Sequence, residues 1–153
     1  MSLFTQCILR TRDEIGGKRI SVMSRHTLND GVITDERIIK GRNYDAHWPI
    51  LGPSPKLIGA YKREEIRWSE FHSRYVQELH EPLADAKGNF IKDKEGKEKL
   101  GKKAMAVKKL ADLAMKQHVT ILCIEESHSQ CHRRLLADAC LKYQPTLSIT
   151  HRR

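Results

Sequence analysis

No apolar run in this 153-residue sequence approaches the roughly 18 residues that a membrane-spanning helix requires, so an anchor of that kind is excluded. The first ten residues also lack the basic start, long apolar stretch and small-residue cleavage site of a secretory signal. Together these absences predict a soluble, cytoplasmic protein. Cysteine is scarce: Cys7, Cys123, Cys131 and Cys140 form no C-x-x-C pair and match no disulfide framework, which predicts reduced thiols. Cys7, Cys123 and Cys140 lie in apolar patterns and read as small core residues, whereas Cys131 has polar neighbours. Aromatic residues make up only 6%, and Tyr44 with Trp48 is the one pair in a loop where a base could stack. Acids are outnumbered, 19 against 28 Lys+Arg, and the net charge of +9 points to polyanions or anionic small molecules as partners. The length fits one domain spanning residues 1–153 that buries about two thirds of the surface of its unfolded chain.

The remaining pattern is that of a small α/β protein. Residues 19–24 alternate apolar and polar after the turn signal Gly16, Gly17, which predicts a strand, and residues 4–9 are expected to pair with it. Residues 40–55 hold Gly41, Pro49, Gly52, Pro53 and Pro55, too many breakers for a helix, and read as a long irregular loop. Ser54 followed by Pro55 marks a helix start. Trp68, Phe71, Tyr75 and Leu79 recur on one face of a second helix over 67–80, and Ala104, Val107, Leu110, Ala111 and Ala114 on a third. The unbroken run over 119–124 predicts a buried parallel strand. Leu135, Leu136, Ala139, Cys140 and Tyr143 then mark a helix that begins near Cys131 and ends at Pro145, with a last strand near 147–149. Residues 81–103 interrupt this order with seven lysines and five acids, and read as a solvated excursion, either a loop or a hairpin around Phe90 and Ile91.

Ligands of open parallel sheets bind beyond the carboxyl ends of strands, which directs attention to Glu125 and Glu126 and to the helix start at Cys131, His132, Arg133 and Arg134. Free backbone N–H groups, the positive end of the helix dipole and two guanidinium groups would hold an anion there, unless the arginines pair with Glu125 or Glu126. Cys131 at such a position would have its thiolate stabilised, which makes a nucleophile conceivable. The arginine of a tyrosine-phosphatase loop is absent, since Ala137 stands six residues on. Zinc held by His128, Cys131 and His132 with Glu125, Glu126 or His26 is a third choice, because Cys131 and His132 are adjacent.

Two stretches resemble the family called domain of unknown function 488. One is Leu51, Gly52, Pro53, Ser54, Pro55, Leu57, Ala60, Tyr61 and Lys62, continued by Ile66, Trp68, Phe71, Tyr75 and Leu79. The other is Leu122, Cys123, Ile124, Glu125 and Glu126 followed by Cys131, His132, Arg133, Leu136 and Ala137. The resemblance implies a small α/β domain with Cys131, His132 and Arg133 at a pocket near the strand ends, and it supplies no reaction. The chain departs from the family pattern at Ser24, Arg25, His26 and Thr27, where many members carry tryptophan, proline, arginine and glycine.

The expected architecture is therefore one α/β domain, a mostly parallel sheet covered by helices, with a Lys-rich excursion. The leading expectation is binding of a phosphate-bearing ligand, nucleic acid or nucleotide, through Arg133, Arg134 and the helix amides, with help from Arg25, His26, Arg42 and the lysine-rich segment. The second is a small-molecule enzyme using Cys131 as nucleophile or His132 as general acid-base, with Glu125 orienting the imidazole. A third is a non-catalytic structural or adaptor protein. No metal and no cofactor enters these expectations.

Overall fold

The computed structural model describes residues 1–28, 31–125 and 130–153. Five strands form one parallel sheet: β1 (Ser2–Cys7), β2 (Lys18–Ser21), β3 (Ala46–His47), β4 (Val119–Cys123) and β5 (Ser148–His151), in the order β3-β2-β4-β1-β5. All five residues of β4 are buried, as expected of a strand paired on both edges and covered on both faces. Its register sets Ile121 beside Thr5 of β1 and Ile20 of β2. That arrangement corrects the expected pairing of the first two strands. The apolar run of β4 needs a partner on each side, so it inserts between β1 and β2 instead of lying at an edge.

Four helices supply the main core: α1 (Pro55–Lys62), α2 (Trp68–His80), α3 (Lys102–Lys116) and α4 (His132–Cys140). Leu3, Ile20, Val119 and Ile121 of the sheet, with Val22 just beyond β2, pack with Leu57, Phe71, Tyr75, Leu79, Val107, Leu110 and Leu136 from these helices. Each such side chain contributes about 1.5–3 kcal/mol by leaving water. α1 starts where the sequence predicts: Pro55 takes the first position and Ser54 Oγ accepts the Leu57 N–H at 3.3 Å. Ser54 also donates from Oγ to Glu78 Oε2 at 2.6 Å, and Glu78 is bridged to Lys103 at 3.1 Å, so one polar cluster ties the start of α1 to α2 and α3. α4 ends at Cys140, before Pro145, and residues 141–143 form a turn.

The other side of the sheet is covered by irregular chain. Ile8, Met23, Ile38, Leu122, Cys123 and Cys131 form a second apolar cluster. Beside it the buried Arg19 donates to the Asn43 carbonyl at 2.6 Å, the Gln6 amide oxygen at 3.2 Å and the Arg10 carbonyl at 3.1 Å. Residues 40–55 are mostly irregular, as expected, but contain β3 and a short 3-10 turn, Pro49–Leu51. Gly52 follows because the chain crosses the end of β2 closely there: a Cβ at this position would lie 2.5 Å from Ser24 Oγ. Residues 82–100 form an antiparallel ribbon, with bridges Pro82 to Leu100, Ala84 to Phe90 and Lys92 to Glu98, and Lys102 and Lys103 already belong to α3. Two turns built on Asp85 and Asp93 reverse it, each carboxylate accepting backbone N–H groups and each turn closing on a glycine with positive φ. No helix among the described residues is long and apolar enough to cross a membrane.

Candidate functional site

Parallel strands end together, so the segments leaving β2 and β4 meet at one edge of the sheet. Between them lies a cavity of about 590 Å³, within the range of small-molecule sites. One wall is the exit from β2, with Met23, Ser24, Arg25 and Thr27; the opposite wall is Pro55, Ile58 and Lys62 of α1. The floor is the buried Cys123 at the end of β4 and the buried His132 at the start of α4, with the exposed Glu125 beside them.

The floor groups interact. Cys123 Sγ donates to Glu125 Oε2 at 2.7 Å, and Cys131 Sγ donates to the same oxygen at 3.3 Å. His132 Nε2 lies 2.9 Å from the Val22 carbonyl, which can only accept, so that nitrogen carries the proton and Nδ1 is turned to Cys123 Sγ at 3.7 Å. The Tyr75 ring meets the imidazole edge-on, with 5.6 Å between centroids, and fixes its plane. Burial pushes the Cys123 thiol up and the Cys131 thiol well up, the latter reinforced by its contact with Cys123. For the exposed Glu125, desolvation of the carboxyl by its neighbours opposes ionisation, yet the Cys123 hydrogen bond and the charge of His132 hold it below the usual range. Burial likewise opposes protonation of His132, but Cys131 and Glu125 outweigh it and raise its pKa.

The cavity mouth is cationic. Arg25 and Lys62 are exposed and form no ion pair with a described residue. Arg37 is instead committed to Asp35 at 2.8 Å.

The expected site residues separate into two groups. Arg25, Glu125 and His132 line the cavity together. His26 does not; it packs behind the β2 exit, with its Nε2 2.7 Å from Ser21 Oγ and its ring stacked on His47 at 4.1 Å. Cys131 is 1% exposed and caps α4 behind the cavity wall. Arg133 is wholly buried: Nη1 donates to the backbone carbonyl of Glu125 and lies 3.7 Å from Cys131 Sγ. It also does not pair with the Glu125 carboxylate. Arg134 and Arg42 are exposed and contribute nothing to the cavity. Glu126 and His128 lie outside the described residues.

Cys123 and Lys62 are the residues that sequence reasoning missed. Cys123 ends an apolar strand and looked like core. Lys62 had a readable signal, since Pro55, Ile58 and Lys62 are spaced by three and four residues and share one face of α1.

A comparison with curated proteins and with solved structures gives no match. The family model DUF488-N3a, described as the active DUF488-N3 subclade, matches residues 5–144, which takes in the whole sheet except part of β1 and β5, all four helices and every cavity residue. On that match the chain belongs to the DUF488 family.

Proposed function

We propose that this protein is an enzyme that draws a phosphate-bearing small molecule of nucleotide size into the cavity. The observation that carries the reading is that one cavity combines two exposed cations, Arg25 and Lys62, which pair with no acid among the described residues, and a floor of thiol, carboxylate and imidazole. The phosphate is held at the mouth, where the cations remain solvated until it arrives. The remainder of the molecule reaches the floor, where Glu125 is the group placed to accept a proton and the Cys123 and Cys131 thiols fix its position. The description of the matched subclade as active favours catalysis over a purely structural role.

Cys131 and His132 change roles relative to the sequence expectation. Cys131 lacks the access a nucleophile needs, and His132 has one nitrogen fixed on a carbonyl and the other on a thiol. Nucleic acid is the weaker partner. The ribbon over 82–100 offsets its five lysines with four acids, which leaves little net charge to neutralise phosphates.

The test is a thermal-shift panel of nucleoside phosphates and sugar phosphates with product analysis by mass spectrometry. A ligand at one hundred times its Kd stabilises by about 2.7 kcal/mol. In a domain of this size that raises Tm by about 5–11 °C. Arg25→Ala with Lys62→Ala should weaken binding tenfold or more, and Glu125→Gln should abolish turnover while binding persists. A panel without a shift, or a shift indifferent to Arg25 and Lys62, contradicts the proposal.

A further inference from the structure

We infer that Cys123 Sγ, Cys131 Sγ and His132 Nδ1 form a zinc site in the cavity floor, with its fourth position open towards the cavity. The three donor atoms lie within 4.8 Å of one another, all on buried residues. A zinc tetrahedron with Zn–S of about 2.3 Å and Zn–N of about 2.0 Å has sulfur-to-nitrogen edges of about 3.5 Å. Cys123 Sγ and His132 Nδ1 are already 3.7 Å apart.

Three further features suit a metal. The Val22 carbonyl holds the Nε2 proton of His132, the outer-shell bond that sets a ligating imidazole in its tautomer and leaves Nδ1 for the ion. Two thiolates and an imidazole are a soft donor set that selects zinc over magnesium or calcium. The charges also suit the ion: two thiolates cancel Zn²⁺, and the guanidinium of Arg133 lies with its Nη1 3.7 Å from Cys131 Sγ. On binding, each thiol releases its proton to solvent.

Of these residues, Cys123 and His132 line the cavity and Cys131 lies behind them, so three protein ligands leave one side of the ion facing the ligand space. Glu125 Oε2, 2.7 and 3.3 Å from the two sulfurs, stands beside that fourth position. The inference deepens the proposed function, and rests on it only for what the ion would do: it would polarise a bound water, whose proton Glu125 would accept. Residues 123, 131 and 132 do not match the usual ligand spacing of structural zinc motifs, which is why the site is assembled by the fold and is not visible as a motif.

The experiment is a Co²⁺ titration of the reduced, chelator-treated full chain, followed by X-ray absorption of the zinc-loaded wild type. Expected are one equivalent of cobalt with a thiolate-to-cobalt charge-transfer band, and a zinc shell of two sulfurs with nitrogen or oxygen. Cys123→Ser and Cys131→Ser should each lose at least half of the band, whereas Cys140→Ala, packed against Val107, should keep it. The wild-type absorption data decide the matter even where a serine variant does not fold. A shell of oxygen and nitrogen alone, no retained metal, or a Cys123–Cys131 disulfide formed in place of metal binding overturns the inference. Cobalt binding without any phosphate-ligand shift sustains the metal site and overturns the proposed function. Phosphate binding lost at Arg25 and Lys62 without a thiolate band overturns the metal site alone.

Discussion

Arg133 decides whether the cysteine-histidine-arginine motif contacts a ligand or supports the floor from behind. Its side chain is fully buried, and its head group donates to the Glu125 carbonyl and approaches Cys131. Arg133→Met keeps an apolar stem and removes the charged donor. The lost hydrogen bond to a charged group is worth about 1.5–3 kcal/mol, with the Glu125 carbonyl left to find another partner. At about 2–4 °C per kcal/mol for a domain of this length, Tm should fall by about 3–12 °C. Arg133→Ala adds a void and should cost about 2–5 kcal/mol more, judged from truncations of buried Met and Leu. Arg134→Ala, at an exposed position one residue later, should stay within about 0.5 kcal/mol of wild type. Reversible urea denaturation and calorimetry on the three variants give these differences. If Arg133→Met melts with the wild type, or no lower than Arg134→Ala, the head group does not hold the floor as described.

His26 gives a pH test. Burial, with the nearby charge of His47, lowers its pKa to about 4, and Asp35 opposes this only weakly. The unfolded chain, with a histidine pKa near ~6.5, then binds more protons than the native state between those values. Stability should therefore be full above about pH 6.5 and decline as pH falls towards 4; melts across this range should show that slope, and His26→Asn should flatten it. Ser54→Ala removes the α1 cap and its bond to Glu78, and should cost about 1–2 kcal/mol by urea denaturation. Gly17→Ala places a Cβ 2.1 Å from the His118 carbonyl oxygen at a φ of +63°, and should cost more than about 2 kcal/mol or prevent folding, read by circular dichroism. Binding of labelled RNA, followed by anisotropy, should be weak near ~50 mM salt and fall steeply above it. Alanine at Lys92, Lys94, Lys97 and Lys99 should reduce that slope without affecting phosphate ligands of the cavity.

The elements that the sequence reveals best are those with one unambiguous period or cap. The apolar run over 119–124, which forms a strand as far as Cys123, the Ser54 and Pro55 helix start and the Phe71, Tyr75, Leu79 stripe are legible because burial and backbone chemistry act locally there. Strand order was less legible. Proximity in sequence favours pairing β1 with β2, and only the two-sided burial of β4 forces them apart. The site was half legible: its position at the strand ends follows from parallel topology, but which way each side chain points does not. Arg133 turns inward because the backbone carbonyl of Glu125 needs a donor, and Cys123 faces the cavity because β4 ends there. Neither fact has a signature in composition or spacing.

The most direct test of the central claim is a crystal structure grown with a nucleoside monophosphate. The account predicts phosphate density at the mouth, within ion-pair distance of Arg25 and Lys62, with the rest of the molecule directed to Cys123, Glu125 and His132. Density at the exposed Arg134 or on the lysine ribbon, with the cavity left to solvent, would contradict it.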